Sequence, residues 1–222
     1  NYMANMTKEQ YPLFVDLDGT LVLTDTLWES CLLFIKRYPL QLWLLIIWLF
    51  RGKAYFKEQL ATKVIPNAEI LPYQAEVVEY ISNAKASKRD VYLITAANQR
   101  IADSISKFHN IFTATIGSTS KLNLKGKNKL DVIQSIIGKK NFDYIGDSKT
   151  ESIIWRTAHT AIISNGTYRR ANQLNIDQDK IIVLPDRGEN IFRQWLKTLR
   201  VHQWSKNMLL FLALFMSHRI LE

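Results

Sequence analysis

Residues 14 to 22 read FVDLDGTLV, a short apolar run that stops at two aspartates one residue apart, followed by Gly-Thr. Two carboxylates so close repel each other and resist burial, so the pair calls for a nearby cation or for a chemical task. The residues before Asp16 suit a buried strand, and Gly-Thr after Asp18 suits a turn, which would put both acids at the end of that strand.

The same rhythm recurs along the chain. YPLFVDL (11–17), DVYLITA (90–96), FTATIG (112–117), FDYIGD (142–147), TAIISN (160–165) and KIIVLP (180–185) each read as a short buried strand, with helix-length stretches between most of them. Strand and helix in alternation predict an α/β fold with a mostly parallel sheet and helices on both faces. Ligands of such sheets bind just beyond the carboxyl ends of the strands. Asp16, Asp18, Thr95 and Asp147 all fall at such ends, so one crevice can gather them. The connection from residue 24 to 86 is too long for one crossover and its content is helical: TLWESCLLFIKRY, LQLWLLIIWLF, AYFKEQLATKV and YQAEVVEYISNAKAS. It predicts an inserted all-helical cap over the crevice, able to exclude water and select substrate.

Composition narrows the function classes. With 222 residues, 47% apolar and 22% charged, the chain can bury a full core. The lone cysteine, Cys31, excludes an internal disulfide and suits an inert thiol in a reducing compartment. The polar start NYMANMTKEQ (1–10) lacks a secretory h-region and is expected to lie outside the domain, which predicts a cytoplasmic location. A formal charge of +9 fits a phosphorylated substrate, an anionic membrane or nucleic acid. Its lysines, as in KLNLKGKNK, are not interleaved with aromatic residues and no nucleic-acid motif appears, so no nucleic-acid partner is expected. His109, His159, His202 and His218 have no metal-ligand spacing and read as surface or core residues.

Four motifs in order, DLDGT, Thr95 in LITAA, the lysine of NLKGK and GDSKTE, resemble those of the haloacid dehalogenase superfamily over about residues 11 to 166. That resemblance implies a Rossmann-like core over residues 11–184 and a phosphomonoester hydrolase working through an aspartyl phosphate. Asp16 would be the nucleophile and Asp18 the general acid and then base. Thr95 and the amide of Ala96, with a lysine, would hold the phosphoryl oxygens, and Gly19 and Asn98 would join in binding substrate. A Mg²⁺ cofactor on Asp16, Asp18 (through its backbone carbonyl) and Asp147 would offset the carboxylate repulsion. The motif lysine is Lys125 or Lys129. Lys125 is preferred, because NLKG and its distance of 22 residues from Asp147 resemble the phosphoserine phosphatase pattern. Where the fourth motif usually has a second aspartate stands Glu151, a longer carboxylate able to orient a metal-bound water. Members that cleave carbon–halogen bonds lack the second aspartate, so Asp18 argues against dehalogenation. Taken singly, Asp147 in GDS is also a plausible helix cap and Thr95 an ordinary strand residue.

Residues 185–222 differ in character: basic and aromatic first, with Arg193, Lys197, Arg200 and Lys206 beside Trp195 and Trp204, then apolar from Met208 to Met216, too short to span a bilayer. LRVHQWSKN resembles the start of the first membrane helix of UbiA-type polyprenyl transferases, some bacterial members of which carry a fused N-terminal phosphatase-like domain. That implies a juxtamembrane tail, a membrane prenyltransferase partner and a chain that stops just inside a membrane segment. The aspartate-rich prenyl diphosphate motifs of that family are not in these 222 residues. LQLWLLIIWLF (40–50), flanked by KRY and RGK, reads as an interfacial helix or a buried cap helix. A polyprenyl-linked phosphosugar is the expected substrate and the inner face of the membrane the expected place. The competing expectation is a domain that keeps the fold but recruits or regulates its membrane partner.

Overall fold

The structure, a computed structural model, describes residues 11–120, 122–138, 140–164 and 176–185. Among these, six strands form one parallel sheet in the order β3-β2-β1-β4-β5-β6: β1 (Leu13–Val15), β2 (Val91–Asn98), β3 (Ala114–Ser118), β4 (Asp143–Gly146), β5 (Thr160–Ile163) and β6 (Ile181–Val183). All six expected strands are present. β1 is central and flanked on both sides, so its residues are fully buried and it reads as continuous apolar sequence, without polar alternation.

Side chains of period two send alternate residues to the two faces. Leu13 and Val15 of β1, Leu93 of β2, Ile145 of β4 and Ile162 of β5 join one core, closed by α4 (Ala75–Ala86) through Val77, Ile81 and Ala84 and by α5 (Gln99–His109) through Ile101, Ala102 and Ile105. Phe14, Ile94, Tyr144, Ala161 and Ile163 face the other way, against α6 (Lys127–Ile137) and α7 (Ser152–Thr157) through Leu130, Ile133, Ile154 and Trp155. Each fully buried side chain of this kind contributes roughly 1.5–3 kcal/mol. The chain runs from β1 outward to β3, then restarts at β4 on the other side of β1. The switch point, where a crevice opens at the strand ends, therefore lies between β1 and β4.

Helices α1 (Thr26–Arg37), α2 (Trp43–Phe50) and α3 (Lys53–Lys63) build the cap, with a small core of Phe34, Trp48, Phe56, Leu60 and Val64. The cap is narrower than the expected 24–86, because α4 packs on the sheet and serves as the crossover into β2. The strands of chain entering and leaving the cap are tied together: Leu23 N donates to Pro72 O (2.8 Å) and Gln74 N to Leu21 O (3.0 Å). Cys31 sits half-buried in this subdomain, and burial, with Asp25 adding to it, pushes its thiol up to about 11, which keeps it protonated and inert. Among the described residues no single helix is long and apolar enough to cross a membrane. Thr26–Arg37 and Pro39–Phe50 reach that composition together but are bent by 111°. The 185–222 tail, Pro185 apart, and residues 1–10 lie outside the described residues.

Candidate active site

Asp16 follows β1 directly and extends its ladder, its N–H donating to Ile145 O (3.0 Å). The chain then turns tightly, with Val22 N donating to Leu17 O (2.9 Å). Gly19 has φ +76°, and a Cβ there would lie 2.3 Å from Asp147 Oδ2. Glycine at this position thus permits both the turn and the approach of the β4-end carboxylate. Gly146 works likewise, since a Cβ on it would lie 2.1 Å from Glu151 Oε2.

The centre of the site is a buried lysine. Lys129 Nζ contacts Asp16 Oδ1 (2.8 Å), Glu151 Oε1 (2.6 Å) and Tyr144 Oη (3.0 Å), and Tyr144 Oη donates to Glu151 Oε1 (2.5 Å). Lys129 is only 2% exposed. Burial works against its charge, but Asp16 and Glu151 outweigh it and hold the ammonium above the ordinary lysine range. The lysine at Asp16 is therefore Lys129 and not the expected Lys125. Gly126 starts α6, and the first turn of that helix points Lys129 inward beside Leu130 and Ile133, whereas Lys125 lies in the preceding loop and is exposed. Tyr144 was legible only as a core strand residue, and its hydroxyl is what the sequence reading missed.

Asp16, Asp147 and Glu151 offer three carboxylate oxygens within 4.8 Å of one another. Glu151 Oε2 is buried without a hydrogen-bond partner, and burial, reinforced by Asp16, raises this carboxyl above its ordinary range. Hard oxygen donors, close carboxylates and an unsatisfied buried oxygen fit a divalent cation such as Mg²⁺.

Asp18 points toward the cap: Thr26 N donates to its Oδ1 (2.8 Å). Burial first, then the nearby Asp25, raises it to about 7, so it keeps a proton to near neutrality. Asp25 itself caps α1 by accepting from Leu27 N (2.8 Å).

Thr95 is fully buried within β2, its Oγ1 accepting from Ala97 N (3.0 Å), while Ala96, Ala97 and Asn98, which complete the strand, line the cleft. Asn98 is occupied structurally: its Oδ1 accepts from Arg100 N (3.0 Å), capping α5, and its Nδ2 donates to Glu58 Oε2 of the cap (2.7 Å). The residue before Glu58 in α3, Lys57, donates from Nζ to Ala96 O (2.8 Å). Two adjacent cap residues thus grip the β2 end.

Cap and core together enclose a cleft of about 410 Å³. Asp16, Asp18, Asp147, Glu151, Lys125 and Lys129 line its floor, and Thr26, Ser30, Lys53 and Lys57 its cap side. The site residues expected from sequence thus gather in one place, with Thr95 just behind its wall.

No family model matches the chain. An uncharacterized protein of Sinorhizobium fredii, y4nM, is 35% identical over 205 residues, which is 92% of this chain; the chain spans only 40% of that relative's length. Among solved structures, a protein of unknown function from Bordetella pertussis Tohama I has a TM-score of 0.59 at 14% identity, covering 80% of this chain and 99% of its own. Substrate-bound phosphoserine phosphatase follows at 0.53 and 13%, covering 86% and 99%. A haloacid dehalogenase family hydrolase from Salmonella enterica serovar Typhi gives 0.52 and 11%, covering 74% and 65%. At these identities the likeness speaks for architecture alone, and in architecture the chain has the Rossmann-like α/β fold of the haloacid dehalogenase hydrolases.

Proposed function

We propose that the protein is a Mg²⁺-dependent phosphomonoester hydrolase. The observation that carries this reading is Asp16, held at the mouth of β1 by the buried Lys129–Glu151 pair and followed two residues later by a carboxyl that keeps its proton. The shared fold with phosphoserine phosphatase supports it.

On this reading an oxygen of Asp16 forms a bond to phosphorus while the bond to the ester oxygen breaks, and the departing alcohol takes the proton of Asp18. Water then attacks the same phosphorus, gives its proton to the Asp18 carboxylate, and phosphate leaves with Asp16 restored. Lys129 orients Asp16 and offsets charge gathering on the phosphoryl oxygens, and the amide of Ala96 adds a donor at the β2 end. Asp16, Asp147 and Glu151 would hold Mg²⁺, which when bound screens the negative nucleophile from a negative phosphate. The test is hydrolysis of 4-nitrophenyl phosphate: turnover with Mg²⁺, loss with chelator and recovery on adding metal back are expected. Undiminished turnover in chelator would remove the metal from the account.

A second observation bears on partners. Phe50 is 89% exposed, Ile46 and Leu49 61% each and Trp43 57% on α2, a helix apolar all round, and Leu40 in the turn before it is 91% exposed, the stretch being flanked by Lys36, Arg37, Arg51 and Lys53. Each such side chain gains roughly 1.5–3 kcal/mol when fully withdrawn from water. We infer that α2 lies in the interface of an anionic membrane, at the inner face of the cell membrane, with lysine and arginine meeting headgroups. A lipid-linked substrate, such as a polyprenyl-linked phosphosugar, suits a cleft walled by α3, the helix on which α2 packs. The partial coverage of the relative from Sinorhizobium fredii leaves room for a membrane prenyltransferase in the same protein, in which case recruitment is the competing role. In co-sedimentation, binding to anionic vesicles and its loss in Trp43→Glu/Ile46→Glu are expected. Equal sedimentation of both proteins would overturn the inference.

A further inference from the structure

Lys129 is neutralised by Asp16 and Glu151, but the cleft contains further cations on the cap side. Lys53 and Lys57 stand one turn apart on α3, both facing the cleft, with Lys125 on the loop opposite. Among the described residues none of these three has a carboxylate within ion-pair distance. Next to the main cleft a small side pocket of about 30 Å³ is lined by Lys53, Ala54, Lys57, Asn98, Ser118, Thr119 and Asn123, with no acid among them. Lys53, Lys57, Asn98 and Asn123 line both spaces, so the side pocket opens on the cleft that contains Asp16.

The separation of charge is the telling feature. Asp16, Asp147 and Glu151 gather around Lys129, and Asp18 and Asp25 face α1 of the cap, whereas the polar groups of the side pocket are ammonium, hydroxyl and amide groups with no carboxylate among them. Like charges gathered without a carboxylate in direct contact are costly. Burial, and next the neighbouring Lys53, push the Lys57 ammonium below the ordinary lysine range and outweigh the opposing pull of Asp18 and Asp25. A bound anion would relieve that repulsion and meet donors of the right kind. The single hydrogen bond from Lys57 to Ala96 O leaves further N–H donors on an ammonium that carries three.

We propose that Lys53 and Lys57 form a subsite for a second anionic group of the substrate, a phosphate or carboxylate distinct from the phosphoryl group attacked at Asp16. The inference rests on the phosphohydrolase reading and narrows it: the substrate carries at least two acidic groups. One is transferred and one is gripped by the cap, whose same helix touches the β2 end through Lys57 and Glu58, so that binding the second anion and closing the site are coupled through α3.

Two matched pairs test it: ribose 5-phosphate against ribose 1,5-bisphosphate, and glycerol 3-phosphate against 3-phosphoglycerate. They are read as kcat/KM with Mg²⁺ and, independently of turnover, as affinity by calorimetry. In the unaltered protein the member with the additional anion is expected to be preferred at least tenfold in one pair. The first pair reports a phosphate subsite and the second a carboxylate subsite. Lys53→Ala should cut that preference about tenfold, Lys53→Glu should erase it, and Lys53→Arg should largely keep it. Absence of preference in both pairs, or a preference indifferent to Lys53→Glu, would overturn the subsite. If no ester is hydrolysed but the dianionic compound still binds in a Lys53-dependent way, the hydrolase reading fails and the subsite stands.

Discussion

Asp16→Asn is expected to lower phosphomonoester hydrolysis by on the order of 10³-fold or more, because the amide cannot form the bond to phosphorus on which the proposed route depends. Asparagine has nearly the same shape, and its Oδ1 can still accept from Lys129, which keeps Glu151 as its charged partner. A folded variant is therefore expected, with a melting temperature close to that of the parent, so that the loss reports chemistry and not collapse. Asp18→Asn should behave differently. A nitrophenolate leaving group needs little help from an acid, so attack by Asp16 survives, whereas the later attack by water loses its base. The expected result with 4-nitrophenyl phosphate is a burst of about one equivalent followed by slow turnover. Substantial steady turnover by Asp16→Asn would sink the mechanism.

The second large effect concerns Lys129. Removing it leaves Asp16 and Glu151 facing each other, buried and without their cation, at a cost of about 3–5 kcal/mol. It also removes charge stabilisation in the transition state, worth on the order of 10²-fold in rate. Lys129→Met is expected to unfold at markedly lower temperature and to be nearly inactive, while Lys125→Ala, a change at an exposed loop residue, should lower the rate far less. Combining Lys129→Met with Glu151→Gln removes one of the stranded carboxylates and should restore much of the stability without restoring activity. That split separates a structural lysine from one that acts on phosphate. A larger rate loss in Lys125→Ala than in Lys129→Met would return the role to Lys125.

Much of this architecture could be read before any coordinates. Strands such as β1 and β4 announce themselves because a sheet covered on both faces leaves no room for polar alternation, and the acids that follow them stand out against that background. The layer in which a helix packs is harder to see. Val77, Ile81 and Ala84 make an apolar stripe that fits a cap or a sheet equally well, and only the path of the chain decides that α4 covers β2. Spacing to Asp147 favoured Lys125, yet helical period could have pointed to Lys129, which lies on the same face as Leu130 and Ile133: a lysine on the buried stripe of a helix calls for an acid to meet it. Asn98, between a strand and a helix, carries a familiar capping signal that competed with the expectation of substrate contact. Tyr144 offered no signal, since an aromatic residue in a buried strand is ordinary and its hydroxyl finds Lys129 and Glu151 only through the fold.

The most direct test of the central claim is to trap the protein in mid-reaction. Asp18→Asn, mixed with 4-nitrophenyl phosphate and Mg²⁺ and quenched in acid within the burst, would be digested and its peptides weighed. The account predicts that the peptide containing Asp16 gains the mass of one phosphoryl group, and that this gain is absent when Asp16→Asn is added. A burst of nitrophenol with no phosphoryl group on that peptide, or with the group on another residue, would contradict it.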